Sequence, residues 1–240
     1  ANKESLVAGG RLVTQTAREK GVAILPIDSE HSAVWQCLRF GGAVKRILLT
    51  ASGGAYYGRK RAELVDVTPE QAVRHPNWNM GKKISVDSAT MMNKGLEIIE
   101  ARWLFDTEKI DYIVHPQSII HSMVEFVDGT VAAQLSNPSM DIPIQLALSY
   151  PDRLPSGTPP LDFGKSLTFF PPDEENFPLP AVCRAAMRKG GNLPCAVNAA
   201  NEAAVGLFLS HKIRFTDIYD IVENALDTAY IAEPSLADLH

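Results

Sequence analysis

Short apolar segments alternate with helical ones along the first 135 residues, and this alternation limits the fold more than any other feature. The apolar segments have the length of strands, and the segments between them have helical spacing. Such alternation is typical of an α/β domain, and a hairpin at its end adds antiparallel strands to the sheet. The predicted strands are residues 22–27, 46–50, 83–87 and 112–114, the predicted hairpin is 123–135, and the predicted helices are 1–20, 32–40 and 89–105.

Local signals support several of these boundaries. Asp128-Gly129 is a strong two-residue turn signal between two apolar runs. Gly41-Gly42 fits the end of a helix, Ser5 is a candidate N-cap, and Thr68-Pro69 with Gln71 fits a capped helix start. The sequence therefore predicts where at least four elements begin or end.

The composition changes at residue 151. Eight of the sixteen prolines lie within residues 151–180, which is typical of an extended linker. Beyond the linker, helical spacing predicts a small bundle. We therefore expect an α/β (α+β) domain with a mixed sheet and flanking helices at 28–150, a proline-rich linker at 151–180 and a C-terminal helical bundle at 181–240, with helices at 181–188, 196–210 and 216–232.

Composition excludes several classes of protein. The net charge of −5 argues against nucleic acid as a partner, and no apolar run approaches the roughly 20 residues that span a bilayer. The N-terminus lacks the pattern of a secretory signal. Cys37, Cys183 and Cys195 have no CxxC spacing, which favours buried free thiols in a reducing cytoplasm.

Two carboxylates follow the first predicted strand. Asp28 and Glu30 are separated by one residue, so in an extended segment both side chains point the same way. Such a pair can hold a hard divalent cation. The alternative is that Asp28 or Ser29 caps the following helix. Spacing alone does not decide between the two.

The run from Lys83 to Glu97 offers a second group of polar side chains. Asn93, Lys94 and Glu97 share one face of the predicted helix, and Ser88 is expected at its start, where free amides favour a phosphate. The alternative is a solvated helix face with an ordinary Lys–Glu pair. On residue types, the run fits a phosphorylated ligand together with a metal ion.

Two further segments have the residue types of a ligand site. Ser52-Gly53-Gly54 follows a predicted strand and could bind an anion, although a plain turn is equally consistent with it. His75 and Trp78 lie in a loop that could close over a ligand, or Trp78 could fold back onto the core. His115 and His121 lie near strand ends, where a histidine with a structural role is equally consistent.

Taken in order along the chain, these segments resemble the 1-deoxy-D-xylulose 5-phosphate reductoisomerase family, the NADPH-dependent enzymes of the non-mevalonate isoprenoid pathway. The resemblance spans nearly the whole chain, and its longest run is specific to the family. The matching runs are residues 1–7, 26–31, 49–54, 75–78, 83–97, 113–118 and 193–202.

The resemblance implies roles for individual residues. Three carboxylates would hold Mg²⁺ or Mn²⁺ and, with one lysine, form the catalytic set: Asp28, Glu30, Glu97 and Lys94. The implied substrate-binding residues are Ser29, Ser52, His75, Trp78, Ser88, Asn93 and Lys94. The implied contacts to NADPH or the active-site wall are Lys3, Met80 and Met140.

The resemblance also implies a reaction and a setting. A metal-dependent rearrangement, by retro-aldol cleavage and re-addition, would be followed by NADPH reduction to 2-C-methyl-D-erythritol 4-phosphate. The expected partner is a small phosphorylated sugar, and the expected assembly is a homodimer without nucleic acid or membrane. The expected compartment is the bacterial cytoplasm, or a plastid in a eukaryote.

This chain departs from the family pattern in three places. Residues 1–27 would be a remnant of the NADPH-binding domain, most of which is absent, and the C-terminal end is also missing after Leu236. Ala55-Tyr56-Tyr57 stands where relatives usually carry a Pro-Phe pair. We therefore expect the fragment by itself to lack turnover.

Two alternatives stay open on the sequence. A cofactor-free, metal-dependent sugar-phosphate lyase or isomerase would need only the metal and phosphate sites. A non-catalytic dimerisation module would use exposed strand edges, with the hairpin at 123–135 pairing across subunits. Product analysis without NADPH would distinguish the first alternative from the NADPH-dependent enzyme. Loss of ligand binding would favour the second alternative.

Overall fold

The computed structural model describes residues 2–74 and 80–240, which form nine helices, four strands and three short 3₁₀ turns. The helices are α1 Lys3–Lys20, α2 Ser29–Leu38, α3 Pro69–Ala72, α4 Lys82–Ala89, α5 Met92–Phe105, α6 Asp141–Ser149, α7 Leu179–Lys189, α8 Leu193–Leu209 and α9 Asp217–Asn224. The strands are β1 Val44–Ala51, β2 Ile110–Val114, β3 Ile120–Phe126 and β4 Val131–Leu135. The 3₁₀ turns are Arg61–Leu64, Ala225–Asp227 and Ala237–Leu239.

The described strands form one mixed sheet in the order β2-β1-β3-β4. β1 pairs with β2 in parallel and with β3 antiparallel, and β3 pairs antiparallel with β4. The hairpin β3–β4 turns at Asp128-Gly129, where Gly129 adopts the left-handed conformation with a φ of 87°. The predicted mixed α/β class, the strands around 46–50 and 112–114, and the hairpin are therefore confirmed.

A single hydrophobic cluster connects the sheet with the helices on either side of it. Its members extend from Val7 in α1 through Leu49 in β1 and Ile98 in α5 to Phe208 in α8. Helix α5 contacts both α1 and α7, and α8 contacts α1, α4 and α9. The elements that we assigned to separate domains thus pack together, and the domain boundaries themselves stay a prediction.

The predicted strand at 83–87 is wrong, because these residues form helix α4. The backbone amide of Ser85 donates to the carbonyl of Gly81 at 3.0 Å, as in an α-helix. Apolar and polar residues alternate over 84–87, which is a strand pattern, but Ser85, Val86 and Asp87 are all buried. The polar side chains find buried partners in the fold, and sequence spacing alone does not show such partners.

The start of the next helix also differs from the prediction. Met91 has a φ of 63°, in the left-handed region, which interrupts the helix. Helix α5 therefore begins at Met92 instead of residue 89. Ser88 therefore lies in the last turn of α4. Ser88 is therefore not surrounded by the free amides of a helix start, as we predicted, because the backbone groups freed at a helix C-terminus are carbonyls.

Three further boundaries are corrected by the structure. Residues 22–27 are irregular and not a strand, because Pro26 cannot donate to a ladder and the segment has no strand partner among the described residues. Asn2, not Ser5, caps α1 and accepts the Ser5 amide at 3.1 Å. The predicted helix at 216–232 ends as α9 at Asn224, followed by a 3₁₀ turn.

The segment 151–178 lacks helices and carries one isolated bridge between Phe170 and Val114. Helix α6, just before it, was not predicted. Cys37 and Cys183 are buried free thiols, whereas Cys195 is half-buried. Among the described residues, no helix has both the length and the hydrophobicity that crossing a membrane requires.

Gly95 allows α5 to approach α7 closely, and we expect Gly95→Ala to lower the free energy of unfolding by about 1–3 kcal/mol. A Cβ at this position would lie 2.6 Å from Cys183 Sγ and 2.9 Å from Cys183 Cβ. Chemical denaturation measures the change.

Gly206→Ala in α8 is the matched control, because a Cβ there meets no described atom within 4 Å. It should raise stability by about 0.5–1 kcal/mol. Equal effects of the two variants would contradict the packing argument.

Candidate functional site

A cavity of about 470 Å³ lies at the edge of the sheet where β1 ends. It lies beside the N-terminal ends of α1, α2 and α5 and the C-terminal end of α4. Ligands of open α/β sheets bind in this position, beyond the carboxyl ends of the parallel strands. Ten of the predicted site residues line it: Lys3, Asp28, Ser29, Glu30, Ser52, Met80, Ser88, Asn93, Lys94 and Met140.

Three carboxylates meet at this cavity. Asp28, Glu30 and Glu97 each offer an oxygen, and these atoms lie within 4.8 Å of one another. The extended spacing that we expected for the first two is wrong, because Asp28 is the N-cap residue of α2 and Glu30 lies in its first turn. Asp28 makes no capping hydrogen bond with its side chain, so its carboxylate is directed to other partners.

Two lysine side chains neutralise the carboxylates. Lys3 Nζ lies 2.7 Å from Asp28 Oδ2 and 3.6 Å from Glu97 Oε1. Lys94 Nζ contacts Glu97 Oε2 directly and lies 3.5 Å from Glu30 Oε1. Glu97 is fully buried beneath both ammonium groups, which explains why it does not itself line the cavity.

Asn93 connects the same groups through its amide. Its Nδ2 donates to Glu97 Oε1 at 2.6 Å, and its Oδ1 accepts from Lys3 Nζ at 2.7 Å. Asn93, Lys94 and Glu97 thus share one helix face, as predicted, but this face is buried and not solvated. The alternative of an ordinary surface Lys–Glu pair is excluded by this burial.

Burial and neighbouring charges set the ionisation of the carboxylates. Burial opposes ionisation of Asp28, but the positive charges of Lys3 and His31 hold its pKa well below the ordinary value. Burial and the negative charge of Glu97 raise the pKa of Glu30 to about 7, although Lys94 lies nearby. The site therefore holds carboxylates of opposite proton affinity side by side.

His31 and Glu100 form a second buried layer that the sequence analysis missed. His31 Nε2 contacts the backbone carbonyl of Glu97 at 2.9 Å, and Nδ1 lies 3.2 Å from Glu100 Oε2. Asp28, His31 and Glu100 also bring one ligand atom each within 4.8 Å of the others. The sequence could have indicated these two residues through helical spacing, because His31 follows Asp28 by three residues and Glu100 follows Glu97 by three.

Hydroxyl groups line the remaining polar wall of the cavity. Ser52 lies in the loop after β1, and its Oγ accepts the amide of Gly54 at 3.2 Å. Ser29 Oγ donates to Glu30 Oε2 at 2.5 Å. Ser118, which was not predicted, lines the same cavity in a left-handed conformation with a φ of 52°. The predicted residues His75 and Trp78 lie outside the described residues.

His115 has a structural role. Its Nε2 accepts the amide of Ile119 at 3.2 Å, so Nδ1 carries the proton and donates to the carbonyl of Thr168 at 2.9 Å. His121 Nε2 lies 3.3 Å from the carbonyl of Ser136. His115 thus holds the turn before β3 against the proline-rich segment.

The donor set fits a hard divalent cation. Three carboxylate oxygens converge in a cavity that leaves room for oxygen atoms of a ligand or water, which is the coordination that Mg²⁺ takes in proteins. Two flanking ammonium groups supply donors for an anionic ligand. Such an arrangement can bind a metal ion and a phosphorylated compound together.

We expect the Mg²⁺ affinity of the chain to rise with pH up to about the pKa of Glu30, near 7. Below that pH the metal must displace the proton on Glu30, so affinity should fall by about tenfold per pH unit. Above it Glu30 is ionised and affinity should level off. Calorimetric titrations in buffers of different ionisation enthalpy would count the protons released, and a pH-independent affinity would contradict the assignment.

The comparisons with known proteins agree on one family. A model described as the 1-deoxy-D-xylulose 5-phosphate reductoisomerase C-terminal domain matches residues 24–105. A second, described as the DXP reductoisomerase C-terminal domain, matches residues 135–240. Similar proteins include the 1-deoxy-D-xylulose 5-phosphate reductoisomerases of Acetivibrio thermocellus and Clostridium botulinum, each 53% identical to this chain.

Solved structures give the same result. The 1-deoxy-D-xylulose 5-phosphate reductoisomerase from Zymomonas mobilis in complex with NADPH is 48% identical, with a TM-score of 0.91 over 100% of this chain and 64% of that one. A DOX-P reductoisomerase in complex with NADPH, fosmidomycin and magnesium is 47% identical, with a TM-score of 0.90 over 95% and 60%.

The chain is shorter than these relatives. The A. thermocellus protein aligns over 100% of this chain and 65% of its own length, and the C. botulinum protein over 96% and 61%. The chain therefore spans a little under two thirds of the relatives that it matches.

Proposed function

Because the chain belongs to the 1-deoxy-D-xylulose 5-phosphate reductoisomerase family, we propose that it carries the metal- and substrate-binding part of such an enzyme. The enzyme would convert 1-deoxy-D-xylulose 5-phosphate to 2-C-methyl-D-erythritol 4-phosphate in isoprenoid biosynthesis. The observation that carries this proposal is the convergence of three carboxylates and two lysines in one cavity.

Asp28, Glu30 and Glu97 would hold Mg²⁺ or Mn²⁺. A solved relative is in complex with magnesium, and the oxygen donors of this chain fit that ion. When bound, the ion supplies a Lewis acid for the oxygens of the sugar. The carboxylates would keep the ion in place, and Lys3 and Lys94 would give up part of their contacts with them.

The polar wall would bind the phosphorylated sugar. Lys94 and Asn93 would bind the phosphate, with hydroxyl donors from Ser52 and Ser88, while Ser29 would contact the sugar beside Glu30. Lys94 stays protonated, since its carboxylate neighbours raise its pKa although burial opposes this. Binding of the phosphate away from the reacting carbons would position the substrate. The roles of His75 and Trp78 rest on the family resemblance alone.

The reduced nicotinamide would approach from the open side of the cavity. Lys3, Met80 and Met140 line the cavity, and two solved relatives are in complex with NADPH. When bound, NADPH would supply a hydride for the reduction of the aldehyde that the rearrangement would form. The thioether side chains would exclude water from the reacting carbon.

Homodimer formation would use the free edge of the sheet. β4 is the outer strand of the described sheet, and exposed apolar side chains lie in it or beside it: Val131 (54% exposed), Phe40 (78%) and Val127 (66%). An exposed apolar strand edge is a template for pairing with another chain. Light scattering that shows only monomers at high protein concentration would contradict the dimer.

Acetivibrio thermocellus and Clostridium botulinum are bacteria, and we propose the bacterial cytoplasm as the compartment. The described cysteines are free thiols, which a reducing environment maintains.

The phosphorus resonance of 1-deoxy-D-xylulose 5-phosphate provides the test. We expect the 240-residue chain to broaden or shift this resonance only when Mg²⁺ is present, and to oxidise negligible NADPH by itself. An unchanged spectrum would contradict the proposed binding. New phosphorus resonances without NADPH would instead support a cofactor-free lyase or isomerase.

A further inference from the structure

We propose that Asp87 and Asn201 are positioning residues for Ser88, and that their contact couples the C-terminal helices to the phosphate end of the cavity. The inference rests on the proposed function, because Ser88 matters only if the cavity binds a phosphorylated ligand. Neither residue lines the cavity, and both act through the placement of α4.

The contact between these residues joins two helices in the interior of the protein. Asn201 Nδ2, from α8, donates to Asp87 Oδ1 at 2.8 Å, and Lys83 Nζ lies 2.8 Å from Asp87 Oδ2. Asp87 is 1% exposed and Asn201 is fully buried. Both oxygens of the carboxylate thus have a partner, one from its own helix and one from α8.

Helix α4 needs such an anchor. It has only eight residues, and Gly81 at its N-cap offers no side-chain capping bond. Helices this short are marginal without tertiary contacts. A directional hydrogen bond fixes the rotation of α4 about its axis, which an apolar contact fixes less well.

Ser88 lies between this anchor and the loop after β1. It directly follows Asp87, and its carbonyl faces Gly54, where a Cβ would come within 2.3 Å of Ser88 O. Gly54, with a φ of 72°, therefore touches the end of α4 on one side while Asn201 holds the preceding residue on the other. A rotation of α4 would move Ser88 relative to Ser52 across the cavity.

The same network also connects α4 to α1. Lys83 also lies 3.5 Å from Glu4 Oε1 in α1, next to Lys3, which contacts Asp28. Burial raises the pKa of Asp87, while Lys83, Asn201 and Lys3 oppose this effect. Asp87 thus lies where α1, α4 and α8 meet.

The test exchanges the two side chains. Asn201→Asp places two carboxylates against each other and should weaken binding of 1-deoxy-D-xylulose 5-phosphate at saturating Mg²⁺ by about tenfold or more, since small misplacements of a binding group have effects of this order. Affinity for Mg²⁺ alone should stay unchanged. The exchanged variant Asp87→Asn/Asn201→Asp restores an amide–carboxylate pair and should recover affinity to within about threefold.

One control and one substitute variant separate positioning from general damage. Asn192→Asp changes another buried asparagine, the N-cap residue of α8, whose side chain bonds to the backbone of Ala229 and Ile231 and not to α4. It should alter stability but not sugar-phosphate affinity. If Asn201→Asp does not fold, Asp87→Asn is compared with the exchanged variant instead.

Three outcomes would overturn the inference. They are wild-type sugar-phosphate affinity in Asn201→Asp, an equal loss of Mg²⁺ affinity, and failure of the exchanged variant to recover affinity. A wild-type chain that binds Mg²⁺ but no 1-deoxy-D-xylulose 5-phosphate would overturn the proposed function as well, and this measurement precedes the variants.

Discussion

Replacing Glu97 by glutamine is expected to weaken Mg²⁺ binding by on the order of 100-fold. Glu97 is the fully buried member of the three carboxylates, and it shares its oxygens among Asn93, Lys94 and Lys3. Glutamine keeps the shape but removes one negative charge, so two carboxylates would face two ammonium groups. A divalent cation would then meet one negative charge fewer and one carboxylate ligand fewer.

Glu125→Gln is the matched control for this variant. The carboxylate of Glu125 also lies between two basic side chains, with Lys45 at 2.7 Å and Arg46 at 2.6 Å, but it lies on the sheet outside the cavity. Its replacement should leave Mg²⁺ binding unchanged in isothermal calorimetry. Wild-type affinity in Glu97→Gln would remove Glu97 from the set of ligands.

Replacing Lys94 by methionine is expected to lower the free energy of unfolding by about 3–5 kcal/mol in the absence of metal. Removing one partner of a buried ion pair leaves an uncompensated charge, and here Glu97 and Glu30 both lose a cation. Lys94 is 4% exposed, so water does not replace it. Denaturant unfolding with a chelator present measures the loss.

Mg²⁺ should restore part of this stability, because it brings positive charge to the same carboxylates. At about 100 times its dissociation constant the ion should add about 2.7 kcal/mol. Lys212→Met, at an exposed position, should be as stable as the wild type without metal and should gain as much stability from Mg²⁺ as the wild type does. A Lys94→Met chain that is as stable as the wild type, or indifferent to Mg²⁺, would contradict the account. Sugar-phosphate binding should still be lost in this variant.

The sequence predicted the parts of the fold that local signals determine. A short apolar run located β1, and the Asp128-Gly129 turn signal located the hairpin β3–β4. The same reasoning failed at residues 83–87, where alternation is a strand pattern but the segment is helical. Its polar residues are buried because Asn201 and Lys83 supply partners, and a contact across 114 residues leaves no trace in local spacing.

The candidate site was predicted in its members but not in its geometry. Helical spacing brought Asn93, Lys94 and Glu97 to one face, which the structure shows to be buried. Asp28 and Glu30 were predicted to point the same way because the segment was expected to be extended, but both residues lie at the start of α2. Lys3 was assigned to the site only from the family resemblance. Nothing in the sequence near residue 3 indicates that its ammonium group contacts carboxylates at α2 and α5.

The central claim is that one cavity binds a divalent metal and a phosphorylated sugar together. Titration of Mg²⁺ into the chain by calorimetry, with and without 1-deoxy-D-xylulose 5-phosphate, tests this claim most directly. We expect the sugar phosphate to tighten Mg²⁺ binding by about tenfold or more in the wild type, and Glu97→Gln to abolish this coupling. Equal Mg²⁺ affinities with and without the sugar phosphate would contradict the claim.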